Sequence, residues 1–176
     1  MMLAVAAASE PLPPPGLVPQ PRSITYSGGS VTLAPRFTFV SAGQSSAILS
    51  AAFGRYVELI NAPERKLLNR SSAAASEAAA GAALHTCTVD VSLPSLSLDL
   101  ETDESYTLDL DANKCTIAAK TVFGAMHGME SLAQLVQRPN FTAPGVRIDD
   151  GPRFPFRATM IDTARHYYPL GSILQQ

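Results

Sequence analysis

The chain has 176 residues, 46% hydrophobic and 16% charged, with a formal net charge of −2. That length supports one domain of ordinary size but not two, and the composition is that of a globular protein rather than a disordered one. The weak negative charge, with no Lys/Arg run longer than Arg65-Lys66, argues against a nucleic-acid partner, and no apolar run of about 18 residues exists to predict a spanning helix.

Residues 1–9, Met-Met-Leu-Ala-Val-Ala-Ala-Ala-Ser, form a short apolar run ending in small residues. They read either as a secretory signal without a basic start or as an alanine-rich tail. Prolines at 11, 13, 14, 15, 19 and 21 predict an extended lead-in. Short strands are predicted at Ser30–Leu33 and Phe37–Val40, with Ala34-Pro35-Arg36 as the turn between them. Ser45 to Asn61 is predicted as a helix. Leu49, Ala52, Phe53, Tyr56, Val57 and Ile60 share one face, Ser45 or Ser46 caps the start, and Pro63 marks the end. Residues 71–83 are almost all Ala and Ser. With no large apolar side chain to anchor them, they read as a surface insertion.

Leu84–Leu93 alternates, with His85, Cys87, Val89, Val91 and Leu93 on the inward face. Tyr106–Leu110 and Lys114–Ala119 alternate on either side of Asp111-Ala112-Asn113 and predict a hairpin. Cys87 and Cys115 fall on two predicted strands. They are open to two readings, a disulfide or a pair of buried free thiols. Thr121–Gln137 is the second predicted helix, with an apolar stripe of Val122, Met126, Met129, Leu132, Ala133 and Val136, and Pro139 as its stop. Gly124 and Gly128 sit one turn apart. Each costs about 1 kcal/mol relative to alanine, so the pair implies close approach of helix to sheet. A short strand follows at Val146–Ile148. The sequons Asn69-Arg70-Ser71 and Asn140-Phe141-Thr142 lie in predicted loops and make Asn69 and Asn140 candidate glycosylation sites.

Residues 149–170 place arginines 153, 157 and 165, prolines 152 and 155, and the apolar stretch around Met160-Ile161 close together. Residues 157–163 read as a strand. Such a strand carries charge that is tolerated inside a protein only when paired. Taken on its own, Arg157 points to a structural ion pair, because such pairs are common. Asp162 and Arg165 read as a pair at the strand end, His166 as a surface histidine, and His127 as a packed or exposed helix residue. His85 has no metal-ligating neighbour. No His-Glu-x-x-His motif or Cys/His cluster occurs, so neither a metal nor a cofactor is expected.

The order Tyr106-Thr107-Leu108 and hairpin, then Thr121-Val122-Phe123-Gly124-Ala125-Met126-His127-Gly128-Met129-Glu130-Ser131-Leu132-Ala133-Gln134, then Pro152-Arg153-Phe154-Pro155-Phe156-Arg157, then Asp162-Thr163-Ala164-Arg165-His166-Tyr167 resembles the β-N-acetylhexosaminidases of glycoside hydrolase family 20. The resemblance covers about residues 17–176, and Pro152 to Pro169 carries it most specifically. It implies an α+β fold: a β-sheet with two helices on one face, followed by the first strand of a (β/α)8 barrel that is not completed. The organisation is then a signal-like, proline-rich lead-in at 1–16, an auxiliary domain at 17–150, and the start of a truncated catalytic barrel at 151–176. Residues 157–163 are the expected first barrel strand and Ser172 opens the first barrel helix.

The resemblance further implies removal of terminal β-linked N-acetylhexosamine from glycans by substrate-assisted retaining hydrolysis. In that chemistry the substrate's acetamide oxygen attacks, a glutamate protonates the leaving oxygen, and an adjacent aspartate orients the acetamide. That Asp-Glu pair belongs to a later barrel strand, and no local pair is expected to replace it. Asp149 and Asp150 are sequence neighbours whose side chains diverge on an extended chain. Arg157 matches the family's arginine that hydrogen-bonds hydroxyls of the terminal sugar, although barrel sites lie at the C-terminal ends of strands and Arg157 opens its strand. By the same resemblance the expected setting is the secretory pathway, the lysosome or vacuole, or the extracellular space. A homodimer is the assembly implied for a full-length form. Two rival readings stand beside it: a non-catalytic scaffold or carbohydrate-associated module that lost its barrel, and an incomplete gene product.

Overall fold

A computed structural model describes residues 16–61, 83–138 and 140–173. The leader-like residues 1–9, the sequon at Asn69 and the Ala/Ser run up to Ala82 lie outside them. The described elements are β1 (Ser23–Ser41), α1 (Ala47–Asn61), β2 (Leu84–Val91), β3 (Tyr106–Leu110), β4 (Cys115–Ala119), α2 (Val122–Leu135), β5 (Thr142–Asp150) and α3 (Leu170–Ile173). The fold is α+β, a mixed sheet in the order β1-β2-β4-β3-β5 that closes on itself because β5 also pairs with β1.

β1 makes this closure possible. Its first half, from Ser23 to Thr32, runs antiparallel to β5, and its second half, from Leu33 to Ser41, runs parallel to β2. The two short strands expected on either side of Ala34-Pro35-Arg36 are therefore one strand. The expected turn is a register shift between Leu33 and Thr38, with Arg36 at φ 66°. An irregularity of this kind bends a strand without ending its pairing. A second shift lies between Tyr26 and Ser30, where Gly28 adopts φ 79°. β5 is also longer than the expected Val146–Ile148. It has a partner on each side, β3 along Val146–Asp150 and β1 along most of its length, and Pro144 pairs with Ser30 of β1.

Two crossovers between strands that run the same way carry helices: α1 links the parallel neighbours β1 and β2, and α2 leads from β4 past β3 to β5. Both crossovers step the same way along the sheet, so a common right-handedness places both helices on one face. They pack against each other there. α1 begins two residues later than expected, with Ser46 Oγ accepting from Leu49 N–H at 3.1 Å. α2 is capped by Thr121, whose Oγ1 accepts from Gly124 N–H at 3.3 Å. It ends at Leu135, before the proline, because Gln137 pairs back with Thr142.

One buried cluster joins the layers, with Phe37, Leu49, Leu108, Ile117, Met129 and Ile148 all fully inside. On β3, Tyr106, Leu108 and Leu110 point inward and Thr107 and Asp109 outward, as the alternation requires. β2 departs from expectation at its start. His85 and Thr86 are both exposed, because the shift opposite Leu33 interrupts the two-residue period. His85 is thus on the surface rather than on the apolar face.

Cys87 and Cys115 form a disulfide, with their Cα atoms 4.5 Å apart. The register decides between the two readings: Thr88 faces Thr116 on adjacent parallel strands, so the preceding cysteines meet side by side. The bond closes a loop with a sequence separation of 28.

The segment after β5 contradicts one expectation. Residues 157–163 form no strand and are exposed. A strand needs a neighbour to receive its N–H and C=O groups, and among the described residues none lies beside this segment. Met160 is 93% exposed and Phe156 74%. The helix expected from Ser172 appears as the single turn of α3, starting at Leu170.

Two stability predictions follow from these contacts. A Cβ added to Gly124 would lie 2.4 Å from the backbone oxygen of Ser105. Gly124→Ala therefore loses about 1–3 kcal/mol, although alanine is the better helix former by about 1 kcal/mol. Urea unfolding checks the sign. Replacing both cysteines by alanine removes a loop-closing bond and lowers stability by roughly 3–4 kcal/mol. An unchanged urea midpoint for the double variant under non-reducing conditions would show that the bond is not formed.

Candidate functional site

The residues with chemical potential gather around the loop that enters β3, Asp103-Glu104-Ser105. Thr121 ties this loop to α2, its hydroxyl donating to the Asp103 carbonyl at 2.6 Å. The Asp103 carboxylate accepts from Lys120 Nζ at 2.8 Å and from Ser105 N–H and Oγ at 2.9 and 2.5 Å. The hydrogen bond from Lys120, with those from Ser105, holds its pKa down at about 2.

Glu104 turns the other way. Its side chain is 13% exposed and faces His127 Nε2 at 3.2 Å and Arg157 Nη2 at 2.6 Å. Burial raises its pKa, but hydrogen bonds from Arg157 and His127 outweigh burial and keep the carboxyl below its ordinary value. Arg157 Nη1 also donates to the Phe154 carbonyl. The charge of Arg157 is thus met from outside its segment, by a carboxylate 53 residues upstream.

A second polar group lies beside it. The Tyr106 and Ser131 hydroxyls are 2.5 Å apart, and Tyr106 also donates to Asp150 Oδ2 at 3.4 Å. Burial pushes the Tyr106 phenol up to about 12. Asp150 Oδ1 accepts from Arg22 N–H at 3.0 Å, and Arg22 Nη2 donates to the Pro152 carbonyl at 2.7 Å. The Gln134 amide clamps the backbone of Val18, accepting from its N–H at 2.9 Å and donating to its carbonyl at 3.1 Å. Between these groups lies a cleft of about 620 Å³, with α2 on one side and residues 150–157 on the other.

Several expected positions remain apart from this cleft. Asp162 and Arg165 form the expected pair at 3.1 Å, but Arg165 is 85% exposed, where an ion pair contributes little. His166 is exposed. Asn140 is exposed in the turn before β5. Asp149 and Asp150 diverge as adjacent strand residues do: Asp149 is exposed and Asp150 enters the cleft.

Sequence reading missed Glu104, Ser131 and Gln134. The available signal was periodic. His127, Glu130, Ser131 and Gln134 recur at the i, i+3, i+4, i+7 spacing of one helical face, beside the apolar stripe that attracted attention. Asp103-Glu104 is also a local Asp-Glu dipeptide. Its side chains serve different partners on different sides of the loop, and Glu104 is held ionised, so they do not form an acid and an orienting group.

Asp103 carries a pH prediction. A folded-state pKa below the ordinary 3.8 contributes stability above that value and loses it as pH falls toward about 2. The stability gap between the wild type and Asp103→Asn stays constant above pH 3.8 and closes between 3.8 and about 2. Urea midpoints measured across that range check it, and a gap that persists at the acid end refutes it.

The sequence matches the family described as "beta-acetyl hexosaminidase like" over residues 17–135. Curated relatives include β-hexosaminidase 1 of Arabidopsis thaliana, 34% identical over 92% of this chain and 33% of that protein. The β-hexosaminidase subunit β of Felis catus is 32% identical over 99% of this chain and 34% of its own length. The chain thus spans about a third or less of the curated relatives it matches. Among solved structures, the chitobiase of Flavobacterium johnsoniae superposes with a TM-score of 0.71 at 27% identity, over 90% of this chain and 24% of that one. The N-acetyl-β-hexosaminidase of Streptomyces plicatus shares the fold with a TM-score of 0.65 at 20% identity, over 94% of this chain and 32% of that one. With the family match covering more than half its length, the chain belongs to the β-acetyl hexosaminidase-like family, within glycoside hydrolase family 20.

Proposed function

We propose that this chain is the auxiliary domain, at 17–150, and the first catalytic segment, at 151–176, of a β-N-acetylhexosaminidase. In full-length form such an enzyme removes terminal β-linked N-acetylhexosamine from glycans by substrate-assisted retaining hydrolysis. The family match over residues 17–135 carries the reading. The loose state of residues 157–163 supports it further: a strand-prone segment with apolar Ala158, Met160 and Ile161 exposed is what a first barrel strand looks like without neighbours.

In this reading Arg157 holds hydroxyls of the terminal sugar. A guanidinium has five N–H donors. Glu104 engages Nη2 and the Phe154 carbonyl engages Nη1, which leaves Nε–H and a second Nη1 hydrogen for a ligand. Glu104 then acts as the anchor that sets the plane of the guanidinium. The buried disulfide and the exposed Asn140 sequon favour a secretory, lysosomal or extracellular setting. Asn140 and Asn69 are the proposed glycan attachment sites, and a homodimer is the proposed assembly of the full-length form.

Purified 1–176 is expected not to turn over a chromogenic β-N-acetylglucosaminide. The acid it lacks is typically worth 10²–10⁴-fold, and Glu104 is already ionised and occupied. In the full-length form, Arg157→Ala lowers kcat/KM by on the order of 10–10⁴-fold, since charge-assisted bonds are worth about 1.5–3 kcal/mol each. Arg157→Lys recovers little, because an ammonium lacks the planar fork. A destabilised Arg157→Ala enzyme with normal kinetics would assign the arginine to structure alone.

A further inference from the structure

The cleft beside α2 has a mainly apolar lining, with Val18, Pro19, Pro152 and Phe154 in its walls. We propose that the chain's own proline-rich lead-in, Glu10-Pro11-Leu12-Pro13-Pro14-Pro15, docks in this cleft as a polyproline II segment, with its prolines on Phe154 and Glu10 at Arg153. Neither the cleft nor the lead-in depends on the glycosidase reading.

The path of the chain brings this occupant to the cleft. Leu17 is buried in the core cluster, and the Gln134 amide holds both backbone groups of Val18 against α2. Val18, Pro19 and Gln20 then form part of the cleft wall. Pro15 is separated from that wall by Gly16 and Leu17 alone. A Cβ placed on Gly16 would meet nothing within 4 Å, so the chain has room to turn there. A polyproline II segment rises about 3.1 Å per residue, and six residues span roughly 19 Å. That length crosses a cleft of about 620 Å³, from Pro15 at the α2 wall to Glu10 at the wall formed by residues 150–157. Because the lead-in is tethered beside its site, docking is intramolecular and needs little intrinsic affinity.

The chemistry of the two surfaces agrees. A proline has a carbonyl and no N–H, so a proline-rich segment seeks apolar surface and hydrogen-bond donors rather than acceptors. The acceptors of the cleft are already engaged. Glu130 accepts from Gln134 Nε2 at 2.9 Å, and Asp150 accepts from Arg22 N–H and from Tyr106. Of the two arginines in the lining, Arg157 is paired with Glu104, while Arg153 lies exposed at the wall. Glu10 is the one charged residue among residues 1–21, and its sign is opposite to that of Arg153. Phe154 lines the cleft with an aromatic surface that is 70% exposed. Proline-rich segments dock on aromatic surfaces of this kind, because the polyproline II form is preset and loses little entropy on binding. The walls are fixed as well: Gln134 holds Val18, and Arg22 holds Pro152.

The test places a nitroxide spin label on a Ser9→Cys variant of ¹⁵N-labelled 1–176. Cys87 and Cys115 are bonded to each other, so the label reports from position 9 alone. Selective broadening is expected at the amides of residues 127–134 and 150–157. Phe154→Ala and Arg153→Glu each remove most of it without lowering the melting temperature, and adding Glu10→Arg to Arg153→Glu restores it. A mixture of spin-labelled unenriched protein with ¹⁵N protein lacking the label shows no such broadening, because the lead-in docks on its own chain. The proposal is overturned by any of four results: no selective broadening at the cleft, broadening that survives Phe154→Ala, no rescue by the charge exchange, or broadening in the mixture, which would make a second copy the source of the occupant.

Discussion

The close approach of α2 to the sheet is the constraint on which the rest of this structure depends. Two glycines one turn apart create it. A Cβ on Gly128 would lie 2.6 Å from Ile117 Cγ2, and one on Gly124 would meet the Ser105 backbone oxygen. Without side chains at these points the helix backbone rests directly on β3 and β4. That contact traps the loop from Asp103 to Ser105, and Gly151 closes on the same serine from the opposite side. Three segments distant in sequence are therefore held within contact distance by the absence of two or three side chains.

The chemistry around Glu104 is a consequence of that trap. The loop is pinned through its backbone by Thr121 and through Asp103 by Lys120, so Glu104 has one direction left to point. It points at α2 and at the segment after β5, and meets His127 of the first and Arg157 of the second. Both partners favour the anionic carboxylate and together outweigh the burial that raises its pKa. The result is an electrostatic joint between the folded layers and a segment that lacks secondary structure of its own. Under the proposed function, such a joint would fix the origin of the arginine that holds the sugar.

The sheet itself depends on a bend. β1 serves two neighbours that run in opposite senses, and it can do so because its pairing shifts twice along its length. The disulfide lies on the other side of the ring, between β2 and β4, where two parallel strands have no hairpin to keep them in register. The covalent bond supplies locally what a tight turn supplies to an antiparallel pair.

Sequence alone determined much of this protein. The alternation of Tyr106, Leu108 and Leu110, the helical stripe from Val122 to Val136, the cap at Ser45 or Ser46 and the significance of Gly124 and Gly128 were all legible. Each is a local pattern, and period and capping depend on residues within a turn or two. The order of motifs from Tyr106 to Tyr167 was enough to indicate the family. Tertiary structure decided the rest. It joined the halves of β1, lengthened β5, exposed His85 and paired Cys87 with Cys115. It also left 157–163 unpaired and brought Glu104 to His127 and Arg157. Each of these outcomes depends on which strand or loop lies alongside, and local periodicity carries no information about neighbours 23 to 53 residues away. A strand-like pattern records a capacity to pair. Whether it pairs is decided by the hydrogen-bonding edge that the rest of the fold presents to it.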